Sequence, residues 1–205
     1  MTRVGCIILL QFATTLALAQ LVHRSDSPTT MTKQPEAVVR GLYRQVVARH
    51  PIGIPRGADL KALAPYLSEG LFRRLDLALS CECDYSRQHQ DPDEKPEIEW
   101  LELGLFSGAN EKALPAAFHL ERTQPEKDGS FRVYVRLTYG KLESAPDWHV
   151  AVFVVREGGH FVVDDVVFLK EDVQDVEPPL SKLLTLGCDG SRWVGYGKPP
   201  RDFKK

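Results

Sequence analysis

Apolar positions along the chain follow two different periods, and the switch between them divides the sequence. In the first third the period is helical. Val39, Leu42, Tyr43, Val46 and Val47 fall at i, i+3, i+4, i+7 and i+8, one apolar face of a helix. Pro35 sits in its first turn, and Glu36 suits the positive end of the helix dipole. Arg49 and His50 suit the negative end, and Pro51 stops it. A loop rich in Gly and Pro (51–57) follows, then a short helical piece (60–67) interrupted at Pro65. Ser68 is placed to cap a second long helix in which Leu71, Leu75 and Leu79 stack, with Phe72 and Ala78 widening the stripe. This helix is expected to end near Cys81, and the polar, acidic residues 84–96 to form an exposed loop.

From residue 97 onward the period falls to two. Residues 97–106 and 114–123 are strand candidates. The clearest strand is 131–139, where Phe131, Val133, Val135, Leu137 and Tyr139 alternate with Arg132, Tyr134, Arg136 and Thr138. Residues 148–156 and 160–169 are rich in β-branched side chains. Asp128-Gly129 and Gly158-Gly159 are hairpin turns of the glycine-dependent kind. A short helix is expected at 180–186, with Gly187 in a left-handed cap. Helices first and an antiparallel meander afterwards make an α+β protein with helices packed on a curved sheet. A strongly twisted sheet around the first helix would enclose a concave hollow, where ligands commonly sit.

The extreme N-terminus has a different character. Arg3 is followed by an almost wholly apolar, uncharged run from Val4 to Ala19 that ends in Ala17-Leu18-Ala19. This is the layout of a cleaved secretory signal, shorter than the roughly 20 residues of a membrane span. The expected organisation is a signal at 1–19, a flexible polar leader at 20–34, one domain at 35–188 and a tail at 189–205. The protein is then exported, periplasmic or extracellular, with no membrane span after cleavage. Cysteines in such a compartment pair where geometry allows. A bond between Cys81 and Cys83 would close a very tight ring, so Cys188 is expected to join Cys81 or Cys83, leaving one thiol free. The formal net charge of −2 and the lack of a basic stripe interleaved with aromatics argue against nucleic acid. Cys81, Cys83 and His89 do not have the spacing of a zinc site, and the acidic loop around His89 lacks the central glycine of a calcium loop. No metal or cofactor is expected.

Pro35-Glu36-Ala37-Val38-Val39-Arg40-Gly41-Leu42-Tyr43 resembles the opening helix of nuclear transport factor two-like proteins. Residues Gly159 to Phe168 (GHFVVDDVVF) are similar to their last strand. The resemblance spans about 35–186 and is to a group of exported bacterial proteins of unknown function, some of whose relatives are immunity proteins that block secreted cell-wall amidases. It implies a cone-like fold with a pocket, and no single activity.

The candidate chemistry is sparse. Of the neighbours Asp164 and Asp165 only one can face inward. Asp165 shares its face with Phe161, Val163, Val167 and Leu169, the more apolar of the two faces, so it is expected to be the inward residue. A desolvated carboxylate there, with the Tyr43 phenol, would be acid–base equipment of the kind the resemblance implies for enzymes of this fold. Alternatively one aspartate is solvated and the other pairs with Arg136 or Arg132 on a neighbouring strand. The strand face of Arg132, Tyr134, Arg136 and Thr138 is either a binding wall or the water side of the sheet. No Gly-x-Ser-x-Gly, phosphate-cradling loop or His-Glu-x-x-His occurs. The expected function is therefore non-enzymatic binding of an unknown protein or small ligand through Tyr43, Arg136 and Asp165, the alternative being an isomerase- or hydrolase-type enzyme.

Overall fold

A computed structural model describes residues 28–90, 98–110, 114–140, 147–169 and 178–196. The expected signal and the start of the leader lie outside the described residues.

Helix α1 (Pro28–Arg49) begins seven residues before Pro35, within the stretch expected to be a flexible leader. Its apolar face, Val39, Leu42, Tyr43 and Val46, is buried. His50 closes it in the left-handed region at φ 48°, which turns the chain directly into Pro51. Helix α2 (Gly57–Leu63) and a 3₁₀ turn (Ala64–Tyr66) divide near Pro65. Ser68 then caps α3 (Glu69–Gln88), its Oγ accepting from the Leu71 N–H at 2.9 Å.

α3 does not stop near Cys81. It runs two further turns, through polar residues expected to be loop, because its last turns are held by the far end of the chain. Asp84 accepts from the Trp193 N–H at 2.9 Å, and Tyr85 packs edge-on to Trp193. The Trp193 N–H, followed by Gln88 and Arg87, holds the Asp84 carboxyl below the usual carboxylate range despite some desolvation.

Residues 97–106 are not one strand. Glu99–Glu102 form a 3₁₀ turn, and among the described residues β1 (Leu103–Gly104) pairs only with β2 (Ala109–Asn110). Between them Leu105, Phe106 and Ser107 are buried.

The main sheet is an antiparallel meander of β3 (Ala117–Pro125), β4 (Phe131–Thr138), β5 (Trp148–Glu157) and β6 (His160–Leu169). Gly158 and Gly159 both take positive φ (56° and 87°), the backbone a two-residue hairpin turn of this hand requires. The inner face, toward α1, carries Val133, Val135, Val150, Val152, Val154, Val163 and Val166, each fully buried. Such burial is worth about 1.5–3 kcal/mol per side chain. Beyond β6, α4 (Leu180–Leu183) is a single turn. Gly187 follows at φ 72°, where a Cβ would lie 2.2 Å from the Trp193 ring. A small hairpin, β7 (Cys188–Asp189) and β8 (Arg192–Trp193), ends the described chain.

The disulfide joins Cys81 of α3 to Cys188 of β7, which decides between the two expected pairings and leaves Cys83 as an exposed thiol. Among the described residues no helix is long and apolar enough to cross a membrane.

Candidate functional site: a filled hollow and an open sheet face

The hollow under the sheet is occupied by the protein's own side chains. Tyr43 is fully buried, touches Phe118 at a ring separation of 5.8 Å, and donates its hydroxyl to the Phe106 carbonyl at 2.7 Å. Trp148 Nε1 donates to the Ser107 carbonyl at 2.8 Å, and Gly108 lies against the Phe168 ring. The β1–β2 turn is therefore a plug, tied to helix and sheet by two side-chain hydrogen bonds. Burial pushes the Tyr43 phenol far above its ordinary value, so it remains neutral with its proton committed to a backbone oxygen.

Asp165 lies on the opposite side of the sheet. The expectation that it faces inward with Val163 assumed unbroken alternation. In the structure Val154 pairs with Val163 but Phe153 pairs with Asp165, so Asp164 is an extra residue, a β-bulge. The bulge reverses the alternation: Val166 and Phe168 face the core, while Asp165 joins Phe153 on the outer face. Asp165 accepts from the Ser181 N–H at 2.9 Å and the Ser181 hydroxyl at 2.6 Å, anchoring the start of α4. Asp164 accepts from Ser68 Oγ at 2.5 Å, joining β6 to the cap of α3. Both aspartates fasten helices, and neither pairs with Arg132 or Arg136. Asp165→Asn is expected to lower stability by about 1–2 kcal/mol, the cost of a lost cap. Urea unfolding with unchanged slope checks this, and an unaltered midpoint would count against the anchoring role.

Arg136 does lie on the outer face, within a ladder of polar contacts. It bonds Asp147 at 2.6 Å and lies 3.5 Å from Glu121, which also approaches His149 at 3.4 Å. Glu121 reaches this face because it too sits in a bulge, between Leu120 and Arg122. Arg122 stacks on the Tyr134 ring at 3.8 Å, and Arg132 lies over Phe153 at 4.7 Å while pairing with Glu126 at 2.9 Å. Burial pushes the Tyr134 phenol up, but hydrogen bonds and positive charge from Arg132 and Arg122 outweigh it and hold the phenol below its ordinary value. Each half-exposed ion pair is worth only about 0.2–1 kcal/mol to folding. Together they set arginines beside aromatic rings on a half-exposed face of the sheet.

The structure thus separates the three residues expected to share a site: Tyr43 is core, and Asp165 and Arg136 are on the outer face. A second feature went unanticipated. The loop expected at 51–57, where Gly53 N donates to the Leu103 carbonyl at 2.8 Å, stands off from α3 and leaves a cleft of about 310 Å³. Ile52, Ile54 and Leu101 line it together with Arg56 and Glu82. Its richness in Pro and Gly was the one available signal, but the partner residue Glu82 lay in a stretch where the helix was expected to have ended.

No family model, curated protein or solved structure matches the chain.

Proposed function

We propose that this is an exported, non-enzymatic binding protein of the cell envelope that engages a protein partner through the outer face of its sheet. The observation carrying this reading is the contrast between the two faces. The inner hollow is filled by Tyr43 and Phe106, whereas the outer face presents Arg122, Tyr134, Arg132 and Phe153 stacked in pairs. Arginine and tyrosine are the residue types that dominate interface energetics, and pre-stacking lowers the entropy lost on binding. The apolar, uncharged run behind Arg3 and the Cys81–Cys188 bond support the compartment. The resemblance to nuclear transport factor two-like exported proteins supports the class of role, and inhibition of a secreted cell-wall enzyme by an immunity-type contact is its sharpest form.

Native mass spectrometry of the mature protein, captured gently from its own envelope, tests the reading. The wild type is expected to retain a protein partner. Arg122→Glu combined with Arg136→Ala is expected to weaken that complex at least tenfold, with a melting temperature within a few degrees of wild type because the Arg136 ion pairs lost are half-exposed and individually weak. A complex indifferent to these changes, or a retained small molecule in place of a protein, would overturn it.

A further inference from the structure

The two edges of the main sheet are finished differently. On β6 the chain itself covers the edge: Leu67 forms a parallel bridge with Val163, and the Ser68 N–H donates to the Val163 carbonyl at 2.8 Å. β3 pairs with β4 on one side, and among the described residues no strand pairs with its other side. Pro125 within β3 is itself a residue of sheet edges, since it has no N–H to give a second neighbour. A free edge is a row of unpaired backbone donors and acceptors, and another extended chain is what fits it.

The side chains of β3 select that chain. Phe118, Leu120, Thr123 and Pro125 face the core side, opposite Leu137, Val135, Val133 and Phe131 of β4. His119, Arg122 and Gln124 face outward, opposite Arg136, Tyr134 and Arg132. Glu121 is the extra residue of the bulge and also points outward, toward Arg136 and His149. Two successive outward residues therefore carry opposite charges. Both are exposed, and among the described residues Arg122, unlike Arg132 and Arg136, has no carboxylate partner. A bulge ordinarily spoils an edge for pairing because it puts two strands out of step. A partner strand with the same bulge at the same place stays in step.

We propose that β3 pairs antiparallel with β3 of a second copy of this chain, about a two-fold axis that passes between Glu121 and Arg122. Glu121 of each copy then lies opposite Arg122 of the other. On the core side Leu120 meets Thr123 and Phe118 meets Pro125; on the outer side His119 meets Gln124. Every pair matches in the face it points to, and the half-exposed Phe118 and Leu120 are covered further. A shift of one residue in either direction sets Glu121 against Glu121 or Arg122 against Arg122, and puts core-side residues opposite outward ones. Like charges directly opposite destabilise a strand pair. The contact is made by the strand edge and does not depend on the partner-binding reading of the outer face.

Sedimentation velocity of the purified protein is the test. The wild type is expected to dimerise at ~100 µM, a concentration that populates any dimer with a micromolar constant. Arg122→Glu and Glu121→Arg are each expected to weaken the dimer at least about tenfold, because the two-fold turns both charge contacts repulsive at once. Mixed in equal amounts, the two variants are expected to form a heterodimer, one edge being doubly acidic and the other doubly basic. A heterodimer also shows that both variants are folded. Amide hydrogen exchange locates the contact: raising the wild-type concentration is expected to slow exchange in β3. Arg136→Ala, a change on β4, should leave the dimer intact while removing a contact of the outer face, so the two readings fail separately. A wild-type monomer at ~100 µM overturns the proposal. So do single variants that dimerise as the wild type does, a mixture that stays monomeric, or concentration-dependent protection that falls outside β3.

Discussion

Reduction of the Cys81–Cys188 bond lowers the stability of the protein by up to about 4–5 kcal/mol, the chain-entropy value for a closed loop of roughly a hundred residues. The sequence separation is 107. For a chain of this size each kcal/mol moves the melting temperature by about 2–4 °C, so a shift of roughly 8–20 °C is expected. The loss is near this ceiling because the bond does not act alone. Cys188 begins the hairpin whose Trp193 caps Asp84 and packs on Tyr85, and Gln88 donates to the Trp193 carbonyl at 3.4 Å. Once the covalent link is gone, the hairpin is held to α3 by non-covalent contacts such as those of Trp193 with Asp84, Tyr85 and Gln88. Circular dichroism melts with and without reductant measure the effect. Cys83→Ser is the control, since it removes the free thiol and leaves the bond. An unchanged melt in reductant would mean that the packing of Trp193 is sufficient by itself.

Tyr43→Phe is expected to cost about 1–3 kcal/mol, although it removes a single oxygen. The hydroxyl is the partner found for the Phe106 carbonyl, and a buried carbonyl deprived of its donor bears most of its desolvation penalty. Tyr43→Ala is expected to cost about 3–5 kcal/mol, through the cavity left among fully buried neighbours. Urea denaturation gives both numbers. Affinity for any partner of the outer face should be unaltered in the Phe variant, because the sheet lies between that face and Tyr43. A functional loss in Tyr43→Phe at wild-type stability would restore the inner hollow as a working site.

The α+β order, four of the strands and their turns were legible because each rests on short-range pattern. Phe131 to Thr138 alternates without interruption, and its burial alternates with it. Gly158-Gly159 and Gly187 mark backbone that few other residues adopt. Ser68 is a cap readable from its neighbours. What escaped the sequence depends on distant partners. The last turns of α3 are polar and look like loop until Trp193, more than a hundred residues away, supplies their contacts. The turn holding Phe106 reads as strand, since nothing local says that it will plug the space beside Tyr43. The placement of Asp165 failed for a subtler reason. Two adjacent aspartates in an apolar strand looked like one inward and one outward residue, whereas Asp164 is accommodated as a bulge because Ser68 claims its carboxylate and Ser181 claims the next. The Arg56–Glu82 cleft is a meeting of two segments that sequence distance keeps apart.

The bond between Cys81 and Cys188 also sets the topology of the covalent chain. Strands β1 to β6 lie between the two cysteines, while α1 and α2 lie outside the ring they close. A protease that severs one peptide bond anywhere inside the ring opens it without releasing a fragment, and both halves of the sheet stay tethered at Cys81, within α3. Such a cut is a nick, and the severed strands can find each other again at the effective concentration of a single molecule.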